Sequence, residues 1–394
     1  LVDGLSYDIP MPWGHEEFEK YRESYLGPGG RRWLSAVMEA AVPYLDYVEK
    51  KIEEYGLPRE LVFLPVIESE YSPHAVSRSG ATGIWQFMRN SISGYGLSIS
   101  EWKDERKDFM KSTDAALRKL KDNYSALGDW LLALAAYNAG QGAVSRAIRA
   151  PSGGTLDYWA LYESRKLSRE PLSYVPKFLA VASILRYPEL HGILPTWEER
   201  QAWASVPSNR QVDIGVLAEK TGIPLQALKN ANAELRYHIT PPEKDHELKV
   251  PADKAQAVKE LLESDSSPLF RYDLYTVKAN DTLGAIAKRF GTPLSLVIQV
   301  NPGLKPDRIS IGQKLIIPRI GAGASSPSQS PGAAQGKAGT SFQAWESTYT
   351  IRAGDTLWAI ARKFGVGVRE LAAANGIDAE GTLRIGAKLR VPTL

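Results

Sequence analysis

The stretch Leu61-Val62-Phe63-Leu64-Pro65-Val66-Ile67-Glu68-Ser69-Glu70-Tyr71-Ser72-Pro73-His74 runs through seven apolar residues and ends on a carboxylate. In helical spacing Glu68 follows Leu61 by seven residues and Leu64 by four, so it shares their inward face. Glu70 is rotated by about 200° from it and points elsewhere. A carboxyl at the end of an apolar face, with no Lys or Arg beside it, is expected to be desolvated and its pKa raised. That is the state of a general acid near neutral pH. Read alone, the residue is more simply a Glu at a helix end; its company reverses that reading.

Three further stretches follow in order: Ser77-Arg-Ser-Gly80-Ala-Thr-Gly83-Ile84-Trp85-Gln86-Phe87, Ala136-Tyr137-Asn138-Ala139-Gly140 and Glu170-Pro171-Leu172-Ser173-Tyr174-Val175. They lie among helical patterns at 31–55, 114–123, 130–136, 142–149 and 176–185, the first stopped by Gly56 with Pro58 beyond it. Eight of the ten Trp fall in this front part, at 13, 33, 85, 102, 130, 159, 197 and 203. Such flat apolar faces suit sugar rings, and they equally suit an ordinary core.

Composition narrows the chemistry. The 394 residues are 43% hydrophobic and 24% charged, a folded chain rather than a disordered one. No apolar run reaches the roughly 18–20 residues of a membrane helix, so no transmembrane segment is expected. A net charge of +3 argues against nucleic acid as a partner. Cysteine is absent, which excludes disulfides, thiolate zinc sites and cysteine nucleophiles. The five His, at 15, 74, 191, 238 and 246, have no metal spacing, and no phosphate-binding loop is present. No cofactor and no metal are expected. The opening Leu-Val-Asp-Gly is not an export signal, so any such segment is expected to lie outside this chain.

The C-terminal part repeats itself. At an offset of 74, Tyr275-Thr276-Val277 matches Tyr349-Thr350-Ile351, Asn280-Asp281-Thr282-Leu283 matches Gly354-Asp355-Thr356-Leu357, Asn301 matches Asn375, and Ile311-Gly312 matches Ile385-Gly386. Each copy reads as strand, helix, helix, strand, with an Asp-Thr turn capping the first helix. A degenerate third copy lies upstream, where Gly222-Ile-Pro-Leu225 and Asn232 match Gly291-Thr-Pro-Leu294 and Asn301 at an offset of 69. Its entry, Gln211 to Gly215, lacks the Asp-Thr turn, so it is expected to be structural. A Gly/Ser/Pro-rich run from Gly321 to Thr340 reads as a flexible linker. The two clear copies carry +4 (274–318) and +3 (348–394), against −5 for residues 1–273, so the tail is a different kind of object from the front.

The four ordered stretches resemble the signatures of the lytic transglycosylases with a goose-lysozyme-like domain, of the soluble Slt and membrane-bound D types. Those signatures are Glu-Ser, Gly-Leu-Met-Gln, Ala-Tyr-Asn-Ala-Gly and Glu-Thr-x-x-Tyr-Val. They stand here as Glu68-Ser69, Gly83-Ile84-Trp85-Gln86, Ala136 to Gly140 and Glu170 to Val175, with Trp85, Arg89 and Pro171 as departures. The repeats similarly resemble LysM modules, which bind glycans containing N-acetylglucosamine.

The resemblance implies an α+β multidomain chain: a mainly α lysozyme-like catalytic domain followed by small β-α-α-β LysM modules. The expected division is 1–198 catalytic with an N-terminal extension, 199–268 a degenerate LysM-like module and a following helix, 272–319 LysM, 320–346 linker and 347–394 LysM. It implies that Glu68 acts as acid and then base, cleaving peptidoglycan between N-acetylmuramic acid and N-acetylglucosamine with closure of a 1,6-anhydro ring. Ser69, Gln86, Tyr137, Asn138 and Tyr174 would bind or orient the sugars. Asp281, Thr282, Leu283, Asn301 and Ile311, with Gly354, Asp355, Thr356, Leu357, Asn375 and Ile385, would edge the LysM glycan grooves. The expected partner is the peptidoglycan glycan strand, met by a monomer in the periplasm near the outer membrane or wall, with a lipid anchor, if any, outside this chain. Two other readings remain open on sequence alone: a hydrolytic muramidase, and a binding protein whose enzyme domain has decayed.

Overall fold

The computed structural model describes residues 5–149, 154–193, 200–241, 246–264, 269–301, 303–306, 308–319, 347–351, 360, 371–372, 375, 377 and 386–391. Trp197, the expected linker 320–346, and Gly354, Asp355, Thr356, Leu357 and Ile385 lie outside the described residues. The chain forms two compact units, 1–325 and 326–394. Among the described residues, no helix is long and apolar enough to cross a membrane.

The front is helical: α1 (Glu16–Leu26), α2 (Pro28–Tyr55), α3 (Leu64–Ser69), α4 (Phe109–Leu127), α5 (Trp130–Ala139), α6 (Gln141–Ala147), α7 (Tyr158–Glu163) and α8 (Arg169–Leu185). Helix α2 starts on Pro28, whose fixed φ suits a first turn, and stops at Gly56 in a left-handed conformation (φ 64°, ψ 41°). Asp108, Asp129 and Asp157 cap α4, α5 and α7 by accepting from first-turn amides. Helix α5 is buried from Leu132 to Tyr137 and packs against α4, α6 and α8, which makes it the centre of the domain.

Two elements differ from the sequence expectation. The run before Glu68 is not one helix: Arg59–Phe63 form a 3-10 turn, and α3 begins only where Pro65 can occupy a first turn. Helix α8 begins seven residues before Pro176 instead of at it. The missing Pro176 amide would leave the Leu172 carbonyl orphaned, but the Tyr158 hydroxyl donates to that carbonyl at 2.7 Å. The fourth motif therefore lies on a helix.

Behind the helical front come β1 (Trp203–Ser208), α9 (Ile214–Thr221), α10 (Leu225–Ala231), β2 (His246–Pro251) and α11 (Ala255–Ser264). Next are β3 (Tyr272–Thr276), α12 (Leu283–Arg289), α13 (Leu294–Val300) and β4 (Lys314–Pro318). The second unit contributes β5 (Ser347–Thr350) and β6 (Lys388–Val391). The strands pair antiparallel within each copy, with Trp203 opposite Pro251, Tyr272 opposite Pro318 and Ser347 opposite Val391. In the first copy Asp213 replaces the missing turn, capping α9 through the Gly215 and Val216 amides. Leu296 of α13 packs with Trp102 and Ile239, which seats the second copy within the first unit.

One asparagine clamps each copy. Asn301 donates to the Val297 and Ile316 carbonyls, both at 2.7 Å, and accepts from the Ile316 amide at 2.8 Å. Asn232 does the same with Leu228 and Lys249, and Asn375 with Leu371 and Arg390. The side chain thus ties the second helix to the last strand in modules that hold no cysteine for a disulfide and, among the described residues, no cluster of metal-ligating side chains. Asn301→Ala is expected to lower the stability of its module by about 2 kcal/mol, because two carbonyls and an amide lose their partner. Hydrogen exchange of the β3–β4 amides in the full chain would measure it, and unchanged protection would contradict the clamp.

Candidate active site

Helix α3 ends on Glu68 and Ser69, and the chain then leaves it through two left-handed residues, Glu70 (φ 54°) and Tyr71 (φ 58°). This exit sends the neighbouring carboxylate away, where Glu70 accepts from the Trp33 indole at 3.0 Å. Glu68 instead opens into a cavity of about 630 Å3, lined also by Gln86, Lys119, Tyr137, Asn138, Glu170, Tyr174 and Lys177. A larger cavity of about 950 Å3 lies among charged side chains such as Asp46, Glu49 and Arg59, and holds none of the motif residues gathered around Glu68.

The Glu68 carboxyl combines burial with one strong partner. Residue 68 keeps a fraction of its surface open to the cavity, while Leu64 and Val66 of its own helix are fully packed. Burial pushes its pKa up to about 7; the Tyr174 hydroxyl, which donates to Oε1, and the Lys119 charge pull it back, and Glu170 adds to the rise. Tyr174 reaches Glu68 from α8, which starts at Arg169, ahead of Pro176. Burial and the facing carboxylate push the Tyr174 phenol well up, so it stays a donor.

Four of the five expected sugar ligands, Gln86, Tyr137, Asn138 and Tyr174, are thus gathered around Glu68. Ser69 is not among the residues lining the cavity; its Oγ donates to the Ile84 carbonyl at 2.8 Å. Tyr137 donates to the Trp85 carbonyl at 2.8 Å. Both hydroxyls hold the loop that carries Gln86. Gln86 itself adopts φ 49°, with Nε2 donating to the Gly83 carbonyl at 2.8 Å. Trp85, a departure from the family pattern, is fully buried and donates to Thr113 at 2.8 Å. His74 lies against Asn230 of α10 at 3.2 Å, outside the cavity lining.

The sequence reading missed Lys119. Its ammonium donates to the Tyr137 carbonyl at 3.1 Å, lies 4.3 Å from the Tyr137 ring centre and makes no ion pair among the described residues. Burial lowers its pKa and Glu68 raises it. Only the i, i+4 relation to Ala115 and the buried Leu120 beside it hinted that this helix position turns inward.

In the LysM copy, Asp281 accepts from the Tyr275 hydroxyl at 2.6 Å and from the Lys278 amide, and Thr282 caps α12 through the Ala285 amide. Leu283 is 2% exposed in the module core, so its side chain offers a glycan no face; the reading that placed it at a groove edge is corrected by the inward turn of α12's first residue. Ile311 is 74% exposed.

The raised pKa has a thermodynamic consequence. A carboxyl whose folded pKa lies above its unfolded value contributes stability that is full below about pH 4.5 and lost as pH rises through about 7. Glu68→Gln is therefore expected to raise unfolding stability at about pH 8 by about 2 kcal/mol, discounted for water in the cavity, and to leave it nearly unchanged at pH 4.5. Denaturant titrations of both proteins at the two pH values check this; a variant no more stable at pH 8 would refute the burial argument.

Comparison with known proteins places this geometry. The Transglycosylase SLT domain matches residues 46–158, the LysM domain matches 275–318 and 349–392, and the LysM-like domain of lytic transglycosylase MltD matches 202–267. The membrane-bound lytic murein transglycosylase D of Escherichia coli K12 is 33% identical over 405 residues, covering 99% of this chain and 84% of that protein. An autolysin of Enterococcus faecalis is 38% identical over 117 residues, 30% of this chain and 14% of its own. The crystal structure of the 70 kDa soluble lytic transglycosylase SLT70 of Escherichia coli overlaps 48% of this chain and 33% of its own, at 22% identity and a TM-score of 0.34. Matched along nearly its whole length, the chain belongs to the membrane-bound lytic murein transglycosylase D family and is a lytic transglycosylase of peptidoglycan.

Proposed function

We propose that Glu68 performs both proton transfers of the cleavage. As the acid, it protonates the glycosidic oxygen between N-acetylmuramic acid and N-acetylglucosamine, and the bond from that oxygen to C1 breaks. The acetamido group of the muramic acid stabilises the cationic carbon. As the base, the Glu68 carboxylate then takes the proton of the C6 hydroxyl while that oxygen closes onto C1. The Glu68 proton is restored, a 1,6-anhydro end is left, and no water is consumed. The observation that carries this is the position of the Glu68 carboxyl, at the wall of the cavity and held by the Tyr174 hydroxyl; burial pushes its pKa up to about 7, where one group can serve as acid and base.

Tyr174 fixes the carboxyl by its hydrogen bond, while Gln86 and Asn138 stand at the cavity wall to orient the sugars. Ser69 and Tyr137 act through the Gln86 loop rather than on the sugar. In the LysM module at 275–318 the exposed Ile311 and the Asp281–Thr282 turn form the glycan edge, a role that the sequence match extends to Asp355, Thr356 and Ile385. The modules raise the local concentration of enzyme on the polymer. We place the protein in the cell envelope, in the periplasm and as a monomer; the family relation and the LysM domains support the envelope location.

Mass spectrometry of muropeptides is expected to find 1,6-anhydromuramic ends. Glu68→Gln should lower their formation roughly 10³-fold, the scale of general acid–base catalysis. Reducing ends in their place, or a Glu68→Gln enzyme as fast as the parent, would overturn the mechanism.

Lys119 sets a second expectation. Because activity needs protonated Glu68, the rate falls as pH rises through about 7. Lys119 pulls that pKa down, so Lys119→Met should move the alkaline limb to higher pH, whereas Lys119→Arg should leave it in place. A limb that stays put in Lys119→Met would show that the ammonium does not act on Glu68.

A further inference from the structure

The module at 202–267 meets the catalytic domain through charges that are out of contact with water. Lys249 of β2 is 2% exposed, and its ammonium donates to Asp108 and to Glu234, each 1% exposed. Burial works against that ammonium, but the two carboxylates hold its pKa up. Asp108 is also the cap of α4, accepting from the Met110 and Lys111 amides at 3.0 Å. One residue of the module therefore anchors the helix that carries Thr113, the partner of Trp85, and Lys119.

The same contact continues along the backbone. The Asp104 amide donates to the Glu234 carbonyl at 2.9 Å, and the Arg236 amide donates to the Trp102 carbonyl at 2.9 Å. Asp104 in turn holds the Arg106 guanidinium through two bonds, at 2.9 and 2.7 Å. The remaining guanidinium nitrogen donates to the carbonyls of Gly80 (2.9 Å) and Phe87 (3.2 Å), the two ends of the loop bearing Gln86. A Cβ on Gly83 would sit 1.9 Å from the Arg106 carbonyl oxygen, so the loop lies directly on this arginine's backbone.

We propose that this module is a brace for the catalytic cleft rather than a glycan-binding device, with Lys249 and Arg106 as the positioning residues that hold the Gly80–Phe87 loop. The sequence is consistent with such a duty. The copy lacks the Asp-Thr turn of the other two, and Asn230 on its α10 is turned to His74 of the catalytic domain. A charge network sealed from water is costly to open one member at a time, so it couples the segments it joins. The functional part of this inference rests on the cavity around Glu68 being the active site; the mechanical part does not.

Native-state hydrogen exchange of the full chain tests the mechanical part without any variant. With rising denaturant, the amides of β2 and the hydrogen-bonded amides of Thr82, Gln86 and Phe87 should join one opening curve. Opening of β2 while the loop keeps its protection would overturn the brace. Lys249→Met combined with Glu234→Gln removes one charge of each sign and spares the Asp108 cap; loop exchange should quicken. Arg106→Lys keeps the charge yet cannot span both carbonyls. In both variants kcat on soluble glycan strands should fall about tenfold or more while KM changes much less, as for a displaced catalytic wall. Equal kcat with faster loop exchange would remove the loop from catalysis, and unchanged exchange in Arg106→Lys would refute the relay. Should the double variant fail to fold, the wild-type exchange and Arg106→Lys still decide. A failure of Glu68 as the acid would leave the exchange results standing, which separates the two proposals.

Discussion

A carboxyl withdrawn from water keeps its proton to a higher pH, and the arrangement of the catalytic domain follows from withdrawing Glu68 without closing it off. A long helix would have carried the following residues along the same axis. The short α3 instead stops at once, and the left-handed pair Glu70 and Tyr71 diverts the chain. Non-glycine residues in that conformation cost energy, and here the cost is met by fixed partners: Tyr71 donates to the Val62 carbonyl at 2.5 Å and Glu70 accepts from Trp33. The buried α5 supplies the wall behind the acid, and α8 supplies the phenol beside it.

Much of the polar chemistry near the acid holds backbone rather than substrate. Ser69, Tyr137 and Arg106 come from three separate elements and bind carbonyls of one short loop, at Ile84, Trp85, Gly80 and Phe87. Gly83 fits because a side chain would overlap Arg106, and its φ of 83° is open to glycine. Gln86, the loop's one strained residue, is stapled to Gly83. The second motif is thus a device for presenting one amide, and the spacing from Gly83 to Gln86 is the span of that staple.

These physical roles explain what could be read from sequence. Glu68 was legible because an apolar run ending on a lone carboxylate is local, and the repeats were legible because their register survives over many residues. Helix α8 was misjudged at its start because the group that compensates Pro176 is Tyr158, distant in sequence. Lys119 was missed because it sits between Arg118 and Lys121, where a charged helix face normally meets solvent. The sequence pattern points Asn301 and Asn375 to the groove edge; in the structure their amides bind backbone inside the module. The 15-residue separation from Asn to its strand partner recurs in the two intact copies, and that fixed distance was the available sign of a clamp.

The clamp also explains how one frame serves different ends. It binds the backbone of its strand partner, never the side chain, so that side chain is free to differ among copies. The partner is Ile316 in one copy and Arg390, exposed, in another. In the first copy it is Lys249, and there the side chain reaches the buried carboxylates of Asp108 and Glu234. A lysine inside a strand between Leu248 and Val250 is a buried charge, which Glu234 of its own module and Asp108 of the catalytic domain neutralise together. Of the two carboxylates Asp108 is the one that crosses between the domains, and it also caps α4 through the Met110 and Lys111 amides. The contact therefore joins a buried charge pair of the module to a helix cap of the catalytic domain, and it does so through a side chain that the backbone clamp leaves free to differ among the three copies.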